Sequence, residues 1–234
     1  MKGFFVTGTD TGVGKTVVAG ALIAGLAEAG FRTAPFKPVA AGCGGSPDAL
    51  RNDDALTLST LSGGSIPYEQ VNPVALEPPV APHIAAAEAS IRLSAADLAA
   101  AGRRLADDND VLVVEGAGGW LVPLAFPETM ADLAVALGLP VVLVVGMRLG
   151  CLSHALLTAR AIGGSGLPLA GWVGNMLDPH MPRREQNLAT LSEWLAAPCL
   201  GRIPVLDAEP GPGLSRAAFA HIDLGPLVSF LSKQ

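Results

Sequence analysis

The sequence of 234 residues is 50% hydrophobic and only 15% charged, a balance that can bury a large core and fits one α/β domain. The formal net charge is −6 and there is no block of Lys or Arg, which argues against a nucleic-acid partner. The longest strongly apolar run, residues 139–147, is far shorter than the ~18 residues that a membrane-spanning helix needs. Three cysteines without a C-x-x-C pair argue against a disulfide framework or a zinc site, and the N-terminus has no signal-peptide pattern. We therefore expect a cytoplasmic protein that contacts neither nucleic acid nor a membrane.

Short, nearly continuous apolar runs predict buried parallel strands, and helical periodicity separates them. The strand runs are FFVTG from Phe4, APFKP around Phe36, VLVVEG from Val111, PVVLVVG from Pro140, LAGWVGN from Leu169 and CLGRIP from Cys199. The predicted helices cover residues 16–29, with Gly30 just beyond the end, a segment opening with the capping pattern of residues 94–97, and residues 128–137, 152–162 and 184–196.

This alternation predicts an α/β fold in a single domain, residues 1–234, with a doubly wound, mainly parallel sheet and helices on both faces. Two segments interrupt the pattern. Residues 42–91 are rich in Gly, Pro and Ser and predict an irregular excursion at the active site, with short helical pieces. The tail after Pro204 predicts a loop, AEPGPG, before one last short helix. Ligands are expected at the carboxyl ends of the strands.

The first of these strand ends carries GTDTGVGKT, residues 8–16. The string resembles the phosphate loop G-x-x-x-x-G-K-[ST], although its first glycine, Gly8, lies one place early. Gly12 and Gly14 would turn backbone N–H groups towards phosphates, Lys15 would reach the β- and γ-phosphates, and Thr16 would hold Mg²⁺. The alternative is a glycine-rich turn without a ligand. Because strand, loop and helix follow in the required order, we favour a P-loop NTPase-like fold.

Charged side chains follow two other predicted strands. Glu115 closes VLVVEG and is the candidate metal carboxylate, or else a solvated strand-end charge. Lys37 ends the second strand, so its ammonium group should project over the same sheet edge, although a strand-end lysine is more often solvated. Asp53 and Asp54 can cap a helix or bind the metal, and their spacing does not choose between these roles.

Several strings together resemble the dethiobiotin synthetase family, the ATP-dependent cyclo-ligases of biotin synthesis. They are GTDTGVGKT, FKPVAAG, RNDDAL, VNPV followed by APHIAA, VVEGAGGWLVPL, VVGMRLGCLSHALLTA, LAGWVGN and GRIP, and they span nearly the whole chain. The resemblance implies that one of two vicinal amines of diaminopelargonic acid is carboxylated with CO₂. MgATP then phosphorylates the carbamate, and the second amine closes the ureido ring to give dethiobiotin, ADP and phosphate.

The resemblance also implies the roles of individual residues. The catalytic cations are Lys15 and Lys37, and the Mg²⁺ ligands are Thr16, Asp54 and Glu115, so the family match favours Asp54 over Asp53. The nucleotide-binding residues are Gly12, Val13, Gly14, Lys15, Thr16, Val17, Asp54, Glu115, Gly116, Ala117, Gly118, Asn175, Met176, Pro204, Val205 and Leu206, with Asn175 on the adenine. The substrate-binding residues are Thr11, Lys37, Ala41, Gly118, Gly150, Cys151 and Leu152.

The family implies a homodimer in which a helix of the partner subunit holds the substrate carboxylate. Here that helix begins near residues 150–152, where free N–H groups suit a carboxylate. Two departures are expected to alter substrate contacts. Ala41 stands where the family commonly has a serine, and Asn187 stands where some members have an aromatic hydroxyl.

Two other classes share the fold and the loop. A cobyrinic or cobyric acid synthase-like ligase normally has an added glutaminase domain, for which this chain has no room. A partitioning or septum-placement ATPase, a nucleotide-driven switch, places a signature lysine at the position of Asp10 and needs a basic surface or an amphipathic tail. The acidic sequence, which ends in VSFLSKQ, shows neither feature.

Overall fold

The computed structural model describes residues 1–46 and 49–232, in which strands and helices alternate. The strands are β1 (Gly3–Gly8), β2 (Thr33–Phe36), β3 (Val39–Ala41), β4 (Val74–Leu76), β5 (Val111–Gly119), β6 (Pro123–Ala125), β7 (Glu128–Thr129), β8 (Val141–Met147), β9 (Leu169–Met176) and β10 (Cys199–Ile203). The helices are α1 (Lys15–Glu28), α2 (Asp53–Leu61), α3 (Tyr68–Val71), α4 (Pro82–Glu88), α5 (Ala95–Asp107), α6 (Met130–Leu137), α7 (Cys151–Gly164), α8 (Arg184–Trp194), α9 (Pro212–Phe219) and α10 (Gly225–Leu231).

The central sheet has six strands in the order β10-β9-β8-β1-β5-β2. All of its pairs are parallel, as the continuous apolar runs predict. The first strand, β1, lies between β5 and β8, so the loop that follows it opens at the centre of the carboxyl edge. The predicted α/β P-loop fold with helices around a mainly parallel sheet is confirmed.

Alternate side chains of each strand fill different parts of the core. On β1, Phe4 and Val6 pack in one buried cluster with α1, whereas Phe5 packs on the opposite face with α5 and α6. A third cluster joins β8 and β9 to α7 and α8. The sheet is therefore covered on both faces, which accounts for the high hydrophobic content.

Helix α1 lies close to its predicted position because its spacing of apolar residues matches one buried face. Val18, Leu22 and Leu26 are fully buried, as their spacing of four residues predicts. Gly30 has a φ of +90°, and the N–H of Phe31 donates to the carbonyl oxygen of Leu26 at 3.0 Å. This arrangement ends the helix in the left-handed conformation that glycine favours.

Two helix predictions are corrected. Residues 128–129 form β7 rather than the start of a helix, because they pair with β6 and because Thr129 and Asp132 make a reciprocal capping box that begins α6 at Met130. The tail forms two helices instead of one. Asp223 accepts the N–H of Gly225 at 2.8 Å and starts α10 separately from α9.

The segment between β3 and α5 is made of short pieces. Strand β4 pairs in parallel with β3, and α4 packs against this pair, whereas α2 and α3 contact β2. This segment covers most of the predicted active-site excursion, and it brings α2 against α1. No helix in the described ranges is long and apolar enough to cross a membrane.

Close packing between α1 and α9 depends on a glycine. A Cβ atom at Gly20 would lie 2.5 Å from Oγ and 2.7 Å from Cβ of Ser215, and 2.7 Å from Cδ1 of Leu61. By contrast, a Cβ atom at Gly163 of α7 would meet nothing within 4 Å. The two glycines therefore offer a matched test of helix packing against helix propensity.

We expect Gly20→Ala to lower the free energy of unfolding by about 1–3 kcal/mol, because the extra methyl group overpacks the α1–α9 contact. Gly163→Ala should raise it by up to about 1 kcal/mol, because alanine is the better helix former in open space. Urea unfolding of both variants measures the difference. Equal stabilisation by the two alanines would contradict the close contact.

Candidate active site

The loop between β1 and α1 has the backbone that the sequence predicts for a phosphate loop. Gly12 and Gly14 have φ values of +72° and +92°, in the left-handed region that favours glycine. Gly14 is also the N-cap residue of α1, and a Cβ atom on it would collide with the side-chain amide of Asn175. Because a glycine N-cap offers no side-chain oxygen, an anionic ligand can satisfy the first N–H groups of α1.

Lys15 lies folded back over this loop. It is largely buried, and its Nζ donates to the carbonyl oxygen of Asp10 at 3.1 Å. Burial lowers the pKa of Lys15 from 10.5 to about 8, although the charge of Glu115 opposes the shift. The Asp10 carboxylate accepts from the N–H of Thr11 at 2.7 Å and from the guanidinium of Arg148 at 2.5 Å. A bound phosphate would offset the desolvation of the Lys15 ammonium.

A buried ionic cluster lies beside the phosphate loop. Nζ of Lys37 donates to Oδ2 of Asp54 at 2.9 Å and to Oε1 of Glu115 at 2.5 Å. The hydroxyl of Thr16 donates to the same Glu115 oxygen at 2.9 Å. The side chains of Lys37 and Glu115 are only 5% and 1% exposed, whereas that of Asp54 is 41% exposed.

The three charges of the cluster respond differently to burial. Burial raises the pKa of Glu115, and the charge of Lys37 only partly opposes this shift. Burial by itself would lower the pKa of Lys37, but the attraction of Glu115 and Asp54 outweighs it and the pKa is raised. Burial would likewise raise the pKa of Asp54, but the charge of Lys37 outweighs it and the pKa is lowered. The ammonium group of Lys37 therefore stays protonated at neutral pH.

The register of the sheet brings this lysine and glutamate together. Phe36, the last residue of β2, pairs with Val114 of β5. Lys37 and Glu115 are the next residues on these parallel strands, so they emerge side by side at the carboxyl edge. Lys37 follows the end of β2, as predicted, whereas the prediction that Glu115 closes its strand is corrected, because β5 pairs with β1 as far as Gly119.

The structure distinguishes the two adjacent aspartates. The side-chain oxygen of Asn52 accepts the N–H of Ala55 at 3.3 Å, so Asn52 is the residue that caps α2. Asp53 is exposed, whereas Asp54 contacts Lys37. The spacing alone left this choice open, and the resemblance favoured Asp54.

The oxygen donors near the loop suit Mg²⁺. Oε2 of Glu115 is buried and has no hydrogen-bond partner among the residues that the structure describes. With Asp54 and Thr16 it forms an all-oxygen set, and Mg²⁺ typically takes one or two carboxylates together with substrate phosphates. Within the described ranges, no three or more His, Cys, Asp or Glu residues form a group that could hold a metal by itself. The donor set therefore fits a metal that arrives with a nucleotide.

A cavity of about 1160 Å³ opens over these groups. Most of the predicted site residues contribute to its wall. They are Thr11, Gly12, Gly14, Lys15, Thr16, Val17, Lys37, Ala41, Asp54, Glu115, Ala117 and Gly118. The volume exceeds the few hundred Å³ of a small ligand site, so the cavity has room for two ligands side by side.

The residues predicted on the adenine side lie outside this wall. The side-chain amide of Asn175 donates to the carbonyl oxygen of Val13 at 2.9 Å, so it supports the phosphate loop. Met176 is buried in the core beneath α7 and α8. Pro204 and Val205 are exposed, and Leu206 packs against the core that contains α1. Their contacts with a base stay a prediction.

Residues 150–152 also lie apart from the cavity wall of their own chain. Gly150 has a φ of +95° and is the N-cap residue of α7. Cys151 is buried and Leu152 is half-buried. The ion pair between Arg148 and Asp10 ties this loop to the phosphate loop.

The sequence analysis missed part of the cavity wall. Thr57 and Thr60 of α2, residues 79–82 before α4, and residues 210–212, 214 and 215 at the start of α9 all line it. The excursion at residues 42–91 and the AEPGPG loop contain most of these positions. Their proline and glycine content signalled loops, but it carried no information about which side chains face a ligand.

Comparison with known proteins identifies the family of this chain. A family model described as an AAA domain matches residues 2–209. The ATP-dependent dethiobiotin synthetase BioD of Pseudomonas paraeruginosa is 57% identical over 228 residues, which cover 97% of this chain and 98% of that protein. The protein of the same name from Cellvibrio japonicus is 54% identical over 227 residues, with the same coverage. The chain belongs to the dethiobiotin synthetase family.

Solved structures of other proteins resemble this family member in fold alone. The cell division ATPase MinD of Pyrococcus furiosus matches with a TM-score of 0.59 at 14% identity, over 100% of this chain and 99% of that one. The MinC:MinD cell division protein complex of Aquifex aeolicus matches with a TM-score of 0.52 at 16% identity, over 93% and 86% of the two chains. This chain carries Asp10, paired with Arg148, where the switch ATPases are expected to place a lysine.

Proposed function

We propose that this protein is an ATP-dependent dethiobiotin synthetase of biotin biosynthesis. It converts diaminopelargonic acid (7,8-diaminononanoate) and CO₂ into dethiobiotin and releases ADP and phosphate. The observation that carries the proposal is the pair of buried ammonium groups, Lys15 and Lys37, in one cavity with a phosphate loop. The family membership of the chain supports the same reaction.

The reaction proceeds in three bond-forming steps. One amine of the substrate attacks CO₂ and loses a proton, which gives a carbamate. A carbamate oxygen then attacks the γ-phosphorus of ATP, and ADP leaves. The second amine attacks the carbonyl carbon of this carbamic–phosphoric anhydride, phosphate leaves, and the ureido ring closes. Phosphorylation is needed because a carbamate is a poor electrophile until its oxygen becomes part of a leaving group.

The two lysines make the second step possible. Carbamate and γ-phosphate are both anions and repel each other. Fixed cations in a desolvated site offset that repulsion and stabilise the charge that develops during transfer. We assign Lys15 to the phosphates and Lys37 to the carbamate and the transferred phosphoryl group. Both ammonium groups would then contact reacting atoms.

Other residues position the two ligands. The N–H groups of the loop around Gly12 and Gly14 bind the phosphates, and Thr11, Ala41 and Gly118 face the diamine. Ala41 supplies no hydroxyl there, so we expect one hydrogen bond fewer to the substrate than in members with a serine. Asn175, Met176 and residues 204–206 are proposed for the base.

Mg²⁺ is proposed as the metal, held by Thr16, Asp54 and Glu115. Bound with ATP, it would neutralise charge on the β- and γ-phosphates during transfer. The unpartnered Oε2 of Glu115 supports this assignment, since it is a buried acceptor beside the phosphate loop.

We further propose a homodimer in which residues 150–152 of the partner subunit hold the substrate carboxylate. Two exposed apolar side chains near these residues support an interface: Leu149, just before them, is 96% exposed, and Leu157 of α7 is 62% exposed. We also propose that the chain works as one P-loop domain in the cytoplasm, with residues 42–91 as its active-site excursion.

A product assay tests the function directly. Purified protein, MgATP, bicarbonate and diaminopelargonic acid should yield dethiobiotin, detected by mass, with one ADP per ring. Omitting any one component should stop product formation. Absence of the ring product despite intact ATP binding would overturn the proposal.

Lys37→Ala should lower turnover by about 10²- to 10³-fold, because it removes a fixed cation from the site of charge development. The exposed Lys2→Ala is the matched control and should keep full turnover. Circular dichroism of both variants checks the fold. Near-normal turnover of a folded Lys37→Ala protein would remove Lys37 from the mechanism.

Leu157→Glu should dissociate the dimer, because it puts a carboxylate into an apolar interface. Light scattering after gel filtration should then give the chain mass of 23.7 kDa instead of twice that value. Ile91→Glu, a change at an exposed apolar residue on another segment, should leave the dimer intact. A monomeric wild-type protein would contradict the shared site.

A further inference from the structure

Lys37 contacts the same two carboxylates that the metal would need. Its Nζ lies 2.9 Å from Oδ2 of Asp54 and 2.5 Å from Oε1 of Glu115, the two carboxylates proposed to hold Mg²⁺. The hydroxyl of Thr16, the third proposed ligand, donates to the same Glu115 oxygen. The ammonium group thus already acts as the counter-ion of both carboxylates, although Oε2 of Glu115 has no partner among the described residues.

An ammonium group and a divalent cation repel each other when they bind the same two carboxylates. The lysine side chain is 5% exposed and the glutamate side chain is 1% exposed, so little water is present to screen their repulsion. A metal ion bound through the unpartnered Oε2 of Glu115 would lie beside the ammonium group on Oε1, and their repulsion favours release of the ammonium group from at least one carboxylate. The displaced ammonium group then has to find another anion.

The backbone of Lys37 is fixed, so the exchange can occur by rotation of its side chain. Its N–H donates to the carbonyl oxygen of Val71 at 2.8 Å, and its carbonyl oxygen accepts from the side-chain amide of Asn72 at 2.7 Å. Lys37 lines the same cavity as Ala41 and Gly118, on the side assigned to the diamine. A rotated ammonium group therefore stays within reach of the substrate side.

We infer that Lys37 has a second, positioning role: in the nucleotide-free protein it holds the two metal-binding carboxylates in place, and the metal–nucleotide complex releases it towards the carbamate. This inference rests on the proposed function. It implies that the site becomes complete for the carbamate only after the metal–nucleotide complex has bound. Free metal, without nucleotide, has to compete with a tethered cation and binds weakly.

Mn²⁺ binding to nucleotide-free protein, followed by the electron paramagnetic resonance signal of the free ion, tests this exchange. Lys37→Met keeps a long unbranched side chain but removes the competing cation, so we expect it to bind Mn²⁺ about tenfold more tightly than the wild type. An unchanged or weaker Mn²⁺ affinity of folded Lys37→Met would overturn the inference.

Lys15→Met is the matched control for long-range charge. It also removes a buried ammonium group from the cavity, but its Nζ donates to a backbone oxygen of Asp10 instead of the carboxylates. We expect its Mn²⁺ affinity to rise by less than about threefold, since only long-range repulsion is removed. Equal gains in the two variants would contradict a direct exchange.

Lys37→Gln provides a second replacement if the methionine variant does not fold. Its amide can donate to a carboxylate without carrying a charge, so it should bind Mn²⁺ more tightly than the wild type. Wild-type affinity for Mn²⁺ in a folded Lys37→Gln protein would overturn the inference.

The product assay on the wild type separates this inference from the proposed function. Dethiobiotin formation together with unchanged Mn²⁺ affinity in the variants would overturn the exchange and leave the function in place. The expected gain in Mn²⁺ affinity without any ring product would overturn the function instead.

Discussion

The ion pair between Lys37 and Glu115 is the interaction on which the site depends. Each charge is buried almost completely, and an isolated buried charge is costly. Replacing such a pair by apolar groups is often neutral or stabilising, so stability alone gives little reason to keep it. The parallel register of β2 and β5 makes the pair possible, because it places the two residues side by side just beyond Phe36 and Val114.

Other elements of the fold bring further functional groups to the same carboxyl edge of the sheet. Strand β1 is central, and the loop after it presents the N-terminus of α1 directly beside the ion pair. Thr16 connects the two features by its hydrogen bond to Glu115. Asp54 adds the second carboxylate from α2, and Asn175 supports the loop from β9. Cations, carboxylates and backbone donors are thus concentrated where the proposed chemistry brings two anions together.

Sequence reasoning succeeded where a single periodicity or a strand end decides the outcome. Lys37 and Glu115 could be placed together because they follow paired positions of parallel strands, although β5 continues beyond Glu115. Helix α1 could be located because Val18, Leu22 and Leu26 share one face. It failed where tertiary contacts decide. Nothing in the local sequence distinguishes Asp53 from Asp54, because the packing of α2 decides which of the two carboxylates contacts Lys37. The start of α6 depends on the pairing between β6 and β7. The part of the cavity wall formed by residues 210–212, 214 and 215 depends on how α9 packs against α1.

The central claim is that a carbamate is phosphorylated between two fixed cations beside the phosphate loop. Supplying CO₂ labelled with ¹⁸O tests this claim most directly, because both oxygens of the carbamate come from CO₂ and one of them attacks the γ-phosphorus. We predict that the phosphate released with each dethiobiotin carries one ¹⁸O atom and that the new ring carbonyl carries the other. Dethiobiotin formed together with unlabelled phosphate would contradict the account, because ATP would then not have activated the carbamate.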